Sequence, residues 1–396
     1  MRRRSGERVD GPPRVAFYNN PRIRSALYQL LLLAALAWLA YEFALNARAN
    51  LAARGFSSGF GFLGNTAGFG VSQSLIPYSE TDTYGRVFWV GLLNTLLVAG
   101  VGIVLATLLG FVVGIARLSS NWLVARLAGG YVELIRNLPL LFQILFWYLA
   151  IIGTMPGPRE SISILGMFLN NRGIIAPRPI FSENAWIIAA ALALAVLATL
   201  ALRVWARRRQ DATGAQFPVG WAGLALILGL PLVALIVLGF PVAFERPQLE
   251  RFNIVGGIRL IPEFLALLIA LTTYTAAFIA EIVRAGILAV SRGQTEAALA
   301  LGFRRGQMLR LIIVPQAMRV IVPPLTNQYL NLTKNSSLAV AIGYPDLFAL
   351  FAGTTLNQTH QAIEIIAITM AVYLSISLLT SLAMNWYNTR LRLIER

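Results

Sequence analysis

Residues 296–315, EAALALGFRRGQMLRLIIVP, form a short polar and basic stretch between two long apolar segments. A stretch of this kind flanked by membrane spans lies outside the bilayer and faces something else. Glu296, Ala297 and Ala298 open it, Gly302 follows six residues after the glutamate, and Ile312 and Pro315 close it. Small residues let a partner's surface approach, and Gly302 permits a turn that other residues make only with strain. Pro315 is expected to stop the following helix. The spacing predicts a short helix, a turn and a second helix lying on the membrane surface.

The chain around this stretch has 396 residues, 57% of them hydrophobic and 13% charged, a balance too apolar for a soluble domain. It predicts an all-α polytopic membrane protein. Apolar runs long enough to cross roughly 30 Å of hydrocarbon occur at 26–45, 87–115, 138–155, 185–202, 219–240, 262–290, 322–342 and 362–386, giving about eight spans. Residues 1–25 carry seven arginines and read as a basic cytoplasmic tail. A signal peptide cleaved near Ala47-Arg48-Ala49 is the competing reading; the length of the apolar run and Glu42 within it argue against that. Residues 26–86 give the first span and a Gly/Phe-rich loop, expected to be periplasmic and to rest on the membrane through its aromatic residues. The main membrane-embedded body is expected over 87–390, with 156–261 an insertion carrying two spans and 291–322 an inward-facing loop.

The positive-inside rule tests this layout. With both termini inside, the inner segments hold 22 of the 33 basic residues and the outer loops nine; Arg284 and Lys334 fall within spans. The excess puts the 296–315 stretch on the cytoplasmic side. It also accounts for most of the +16 net charge by topology, so no nucleic-acid partner is required. Cysteine is absent, which excludes disulfides and thiolate metal sites. His360 is the sole histidine, so neither a zinc-protease motif nor a serine-histidine arrangement can be assembled. No Gly-x-x-x-x-Gly-Lys loop is present, so ATP hydrolysis would have to come from another polypeptide.

Polar residues inside spans mark faces that look at protein or water. Asn327, Asn331, Lys334 and Asn335 share one helical face. That face either packs against a partner subunit, with Lys334 reaching for headgroups, or lines a solute path; Gln143 and Tyr274 are further candidates for the path. Glu281 with Arg284, and Glu133 with Arg136, sit three residues apart and are expected to form structural ion pairs. An ion-coupled carrier would need acidic residues in mid-span, and apart from Glu281 the spans offer Glu42 and Glu364 near their ends.

The Glu296-Ala297-Ala298, Gly302, Ile312 and Pro315 pattern resembles the EAA loop of type I ABC-transporter permeases, with Val314 where leucine is usual. Residues 131–143, YVELIRNLPLLFQ, are similar to the Y-x-E-x-x-R-G-T-P-L-x-x-Q run of polar amino-acid permeases, with Asn137 and Leu138 replacing glycine and threonine. Residues 280–286, AEIVRAG, with Gly293-Gln294 and 334–338, KNSSL, extend the likeness. The resemblance implies the permease subunit of an importer for polar or general L-amino acids in the bacterial inner membrane, enlarged to eight spans. The loop would then be the helix that couples to a cytoplasmic ATPase dimer. It further implies a second, related permease and a periplasmic amino-acid-binding protein. The chain itself would bind no cofactor, ATP and Mg²⁺ being held by the ATPase.

Overall fold

The computed structural model describes residues 21–53, 59–181, 183–239, 242–251 and 253–391. Most of the expected basic tail and part of the Gly/Phe-rich loop lie outside these residues. The chain is a helical bundle. Helix α1 (Pro21–Ala53) precedes α2 (Tyr84–Ala116), α3 (Trp122–Asn137) and α4 (Leu140–Leu145), the last continuing as a π-helical stretch over Phe146–Ile152. Among the described residues seven helices are long and apolar enough to cross a membrane, or eight if the bent pair α3–α4 counts as one.

The third span differs from its expectation. Residues 116–137 were expected as a loop and 138–155 as the crossing, whereas α3 packs along α7 (Pro262–Leu288) and turns by 107° into residues 140–152. Tyr131 donates to the Thr273 carbonyl at 2.7 Å and Tyr148 to Glu263 at 2.9 Å, so both halves are tied to the first half of α7. The charged residues of α3 disguise its packing on α7 in a hydropathy reading.

At the core of the bundle α2 meets α7. Gly102, Ala106, Gly110 and Gly114 recur every four residues along one face of α2, and each is buried. A β-carbon added at Gly110 would come within 2.6 Å of the Ile279 side chain, and one at Gly114 within 2.7 Å of the Ala280 carbonyl. Such a ridge of small residues lets two apolar helices pack backbone to backbone.

The insertion holds the two expected helices, α5 (Trp186–Thr213) and α6 (Val219–Val237), which pack chiefly on each other. It also holds strands the sequence reading lacks. Strands β1 (Ile162–Ile164), β2 (Met167–Asn170), β3 (Gly173–Ala176), β4 (Arg178–Phe181), β5 (Val242–Glu245), β6 (Gln248–Glu250), β7 (Asn253–Val255) and β8 (Ile258–Leu260) pair antiparallel. One sheet has the order β1-β2-β3-β8; β4 pairs with β5 and β6 with β7. Ile174 faces Leu260 and Arg178 faces Glu245, so chain entering the α5–α6 hairpin pairs with chain leaving it. Gly173 has φ +104° and lies against the Leu260 carbonyl, where a side chain has no room. Strands of three or four residues are too short for alternation to reveal them.

The loop after α1 was expected to rest on the membrane. Instead its 3-10 turn Phe60–Gly64 folds onto the bundle: Phe62, 3% exposed, packs with Tyr84, Val87 and Leu347. Phe60 remains exposed.

Beyond α7 come α8 (Arg292–Ala300) and α9 (Arg305–Met308), then a π-helical stretch Leu309–Ile313 and α10 (Val314–Asn335), which ends in a 3-10 turn Ser336–Ile342. A second π-helical segment, Phe348–Thr355, leads through α11 (Leu356–Thr359) to α12 (Ala362–Leu391).

Candidate functional site

Helix α8 carries Glu296 and Ala297 exposed on its outer face and Ala298 inward, 1% exposed. Ala298, Met308 and Ile313 form a small core of their own, with Phe303, Ile312 and Val290 packed against it. The turn is closed by glycine geometry. Gly302 has φ +78°, its N–H donates to the Leu299 carbonyl at 3.0 Å, and the Phe303 N–H reaches the Ala298 carbonyl at 3.1 Å. This is the Schellman arrangement, in which the left-handed residue satisfies carbonyls that the helix end leaves open. Gln316 donates to Gln294 at 3.2 Å and ties α10 to α8.

Pro315 does not stop the second helix as expected. It lies in the first turn of α10, and residues 305–342 run as one helical segment. Pro315 has no N–H for the Leu311 carbonyl, and the backbone widens into the π-helical Leu309–Ile313 stretch just before it. The loop is therefore joined to the span without a break.

On α10 the Asn327, Asn331 and Lys334 side chains are exposed and Asn335 is half-buried, while Ile321, Leu325 and Leu332 on the other face are buried in the main core. The polar stripe thus forms one outward face of this chain. The other two path candidates lie elsewhere. Gln143 is buried and donates to the carbonyls of Ile135 and Leu138, both at 3.0 Å. Ile135 would ordinarily bond to the N–H of residue 139; that residue is Pro139, which has none, so the glutamine amide repairs the break. Tyr274 is half-buried in the main core with its ring 5.0 Å from Phe278.

Arg284 Nη2 lies 2.7 Å from Glu281 Oε1, and Arg117 at the end of α2 binds the other carboxylate oxygen. Sequence reasoning missed Arg117, which lies 164 residues away; its one signal was a basic residue directly after an apolar run. The expected Glu133–Arg136 pair is not formed. Arg136 lies over the Phe278 ring at 5.1 Å, and Glu133 points into a cavity beside α2. The cation–π contact and the bend after Asn137 draw Arg136 off the face that Glu133 occupies.

A second polar cluster, also missed, lies at the opposite end of α2. Asp346 is fully buried, accepts from the Ala349 N–H at 2.8 Å and from the Tyr373 hydroxyl at 3.1 Å. Burial pushes its carboxyl up to about 6, against those hydrogen bonds. Asn94 donates to the carbonyls of Gln73 and Pro345, each at 2.9 Å, and Tyr344 donates to the Asn94 carbonyl at 3.1 Å. This network joins the loop after α1, α2 and the segment following α10. The signal was a lone carboxylate between Tyr344-Pro345 and Leu347-Phe348.

Among known proteins, residues 223–393 match the family of binding-protein-dependent transport system inner membrane components. The chain is 52% identical over 384 residues to the General L-amino acid transport system permease protein AapQ of Rhizobium johnstonii, covering 97% of this chain and 96% of that one. It is 45% identical over 427 residues to the Glutamate/glutamine/aspartate/asparagine transport system permease protein BztB of Rhodobacter capsulatus, covering 97% and 99%. A solved structure described as an amino acid ABC transporter with histidines aligns over 78% of this chain and 95% of its own, with 22% identity and a TM-score of 0.47. A helical bundle of membrane-crossing length, an EAA-type loop mounted on its own core, and relatives of this identity over nearly the whole chain make this protein a multi-pass inner-membrane permease subunit of the amino-acid ABC transporter family.

Proposed function

We propose that the chain imports polar or general L-amino acids using the closure of a separate ATPase dimer, which holds ATP and Mg²⁺, while this chain binds no cofactor. A second, related permease packs beside it, and a periplasmic binding protein delivers the solute to the end that carries Asp346. Both termini and α8 lie on the cytoplasmic side, in keeping with the distribution of basic residues.

One observation carries the reading: α8 is a compact handle with an exposed Glu296–Ala297 face, and the helix that follows it is continuous to Ile342. Force applied to α8 reaches the Asn327–Asn331–Lys334 face through continuous helix from Arg305 onward rather than a slack linker. That face, turned toward the second permease, would replace water around the ammonium and carboxylate of the solute. The substrate range rests on the named substrates of the relatives, whose sequences align from end to end with this one.

The test is transport and ATP hydrolysis in proteoliposomes holding the whole complex. Glu296→Lys together with Gly302→Val should abolish uptake and leave hydrolysis uncoupled, with membrane insertion intact. Undiminished uptake by that variant would overturn the reading.

A further inference from the structure

A cleft of about 300 Å³ opens between α2, α3 and α7 at the α8 end, and four of its seven lining residues are charged. Arg117 and Arg284 stand on one side, already sharing Glu281. On the other side, α3 presents Arg126 and Glu133. They are seven residues apart on one helical face, roughly 10 Å along the axis, and form no ion pair among the described residues. Between them lie Gly129 and Gly130, where an added β-carbon would meet nothing within 4 Å. The floor of the cavity is therefore bare helix backbone, with a cation-binding group at one end and an anion-binding group at the other. The cleft opens to solvent, with Arg126, Gly130 and Glu133 exposed, and its volume is at the lower end of the range for small-molecule sites.

We infer that this cavity binds a small zwitterion, an anionic group on Arg126 and an ammonium on Glu133, with the glycine floor accepting the carbon between them. Free α-amino acids and ethanolamine phospholipid headgroups share that chemistry. The inference rests on reading the chain as an amino-acid permease with α8 in the cytoplasm, which makes the internal pool of imported amino acid the expected occupant. Arg117 and Arg284 add positive charge to the facing wall, partly met by Glu281.

The experiment uses the full chain in phosphatidylcholine nanodiscs and radiolabelled L-glutamine as probe. Wild type should bind it, and N-acetyl-L-glutamine and L-glutaminamide should fail to compete. Arg126→Gln and Glu133→Gln should each weaken binding about tenfold or more, the loss of one charge-assisted contact. Gly130→Leu should abolish it by filling the cavity, with an unchanged or higher melting temperature, because leucine is the better helix former. In phosphatidylethanolamine nanodiscs, native mass spectrometry should show whether that lipid is retained by wild type and lost from the same variants; retention without glutamine binding supports the site with the headgroup as its ligand. Binding equal in all pocket variants, or no zwitterion bound while the whole complex still imports amino acids, overturns the site and leaves the permease reading standing. A complex that imports no amino acid overturns that reading and the expected occupant with it.

Discussion

Two carboxylates mark the two ends of the central helix pair, and they are held in opposite ways. Glu281 sits between Arg117 and Arg284, a charged group met by charged groups. Asp346, some 33 Å away along α2, has no guanidinium; a tyrosine hydroxyl and a backbone N–H hold it, and burial raises its proton affinity. One end is fastened by Coulombic attraction with solvent close by, the other by a dry hydrogen-bond network. The end bearing α8 can therefore shift against solvent at modest cost, whereas the Asp346 end resists any displacement that strands a buried polar atom.

Four sets of substitutions test how differently the two ends are held. The largest effect should come from the seam that holds both ends in register. Gly110→Val puts a branched side chain where even a β-carbon meets Ile279 at 2.6 Å; a loss of about 3 kcal/mol or outright failure to accumulate is expected, read by fluorescence size exclusion in detergent. Next, the stability held at Asp346 should depend on acidity. Its carboxyl is raised in the folded state from 3.8 to about 6, so the folded chain binds more protons than the unfolded one between those values. Stability should be greatest below the lower value, fall by about 3 kcal/mol as pH rises to the upper one, and stay level beyond it. Asp346→Asn should remove that slope, and a wild-type melting curve with the same pH profile as the variant would refute the contrast. At the other end, Glu281→Ala should cost about 2 kcal/mol, less than for a fully buried pair because the three side chains are partly exposed. Adding Arg117→Ala should recover part of it in a double-mutant cycle. Smallest is Glu133→Gln, expected to change the melting temperature by an amount equivalent to less than about 0.5 kcal/mol, since Glu133 forms no ion pair.

The spans were legible because apolar length needs no knowledge of partners, and Gly302 was legible because a left-handed turn between two short helices calls for glycine. Helix α3 was not: Arg126, Glu133 and Arg136 lower its hydropathy, and only its contact with α7 shows that it belongs to the bundle. Pro315 was misjudged, and the bonds of Gln143 to the backbone were missed, for one reason. A proline removes a donor, but what the chain does next, a π-turn in one case and a borrowed side-chain amide in the other, depends on neighbours far from a local reading. Arg117 and Asp346 escaped because their partners are 164 and 27 residues away. The strands of the insertion escaped because Leu165 and Gly166, with φ 51° and 76°, make a tight hairpin without the usual Asn-Gly or Asp-Gly signal.

The strands at the base of the α5–α6 hairpin carry one more consequence. Because Ala176 pairs with Ile258, the chain leaves and rejoins the bundle at adjacent points. The segment is attached like a side chapel with a single doorway: a tight turn joining residues 176 and 258 would close it off and leave the helices on either side where they are.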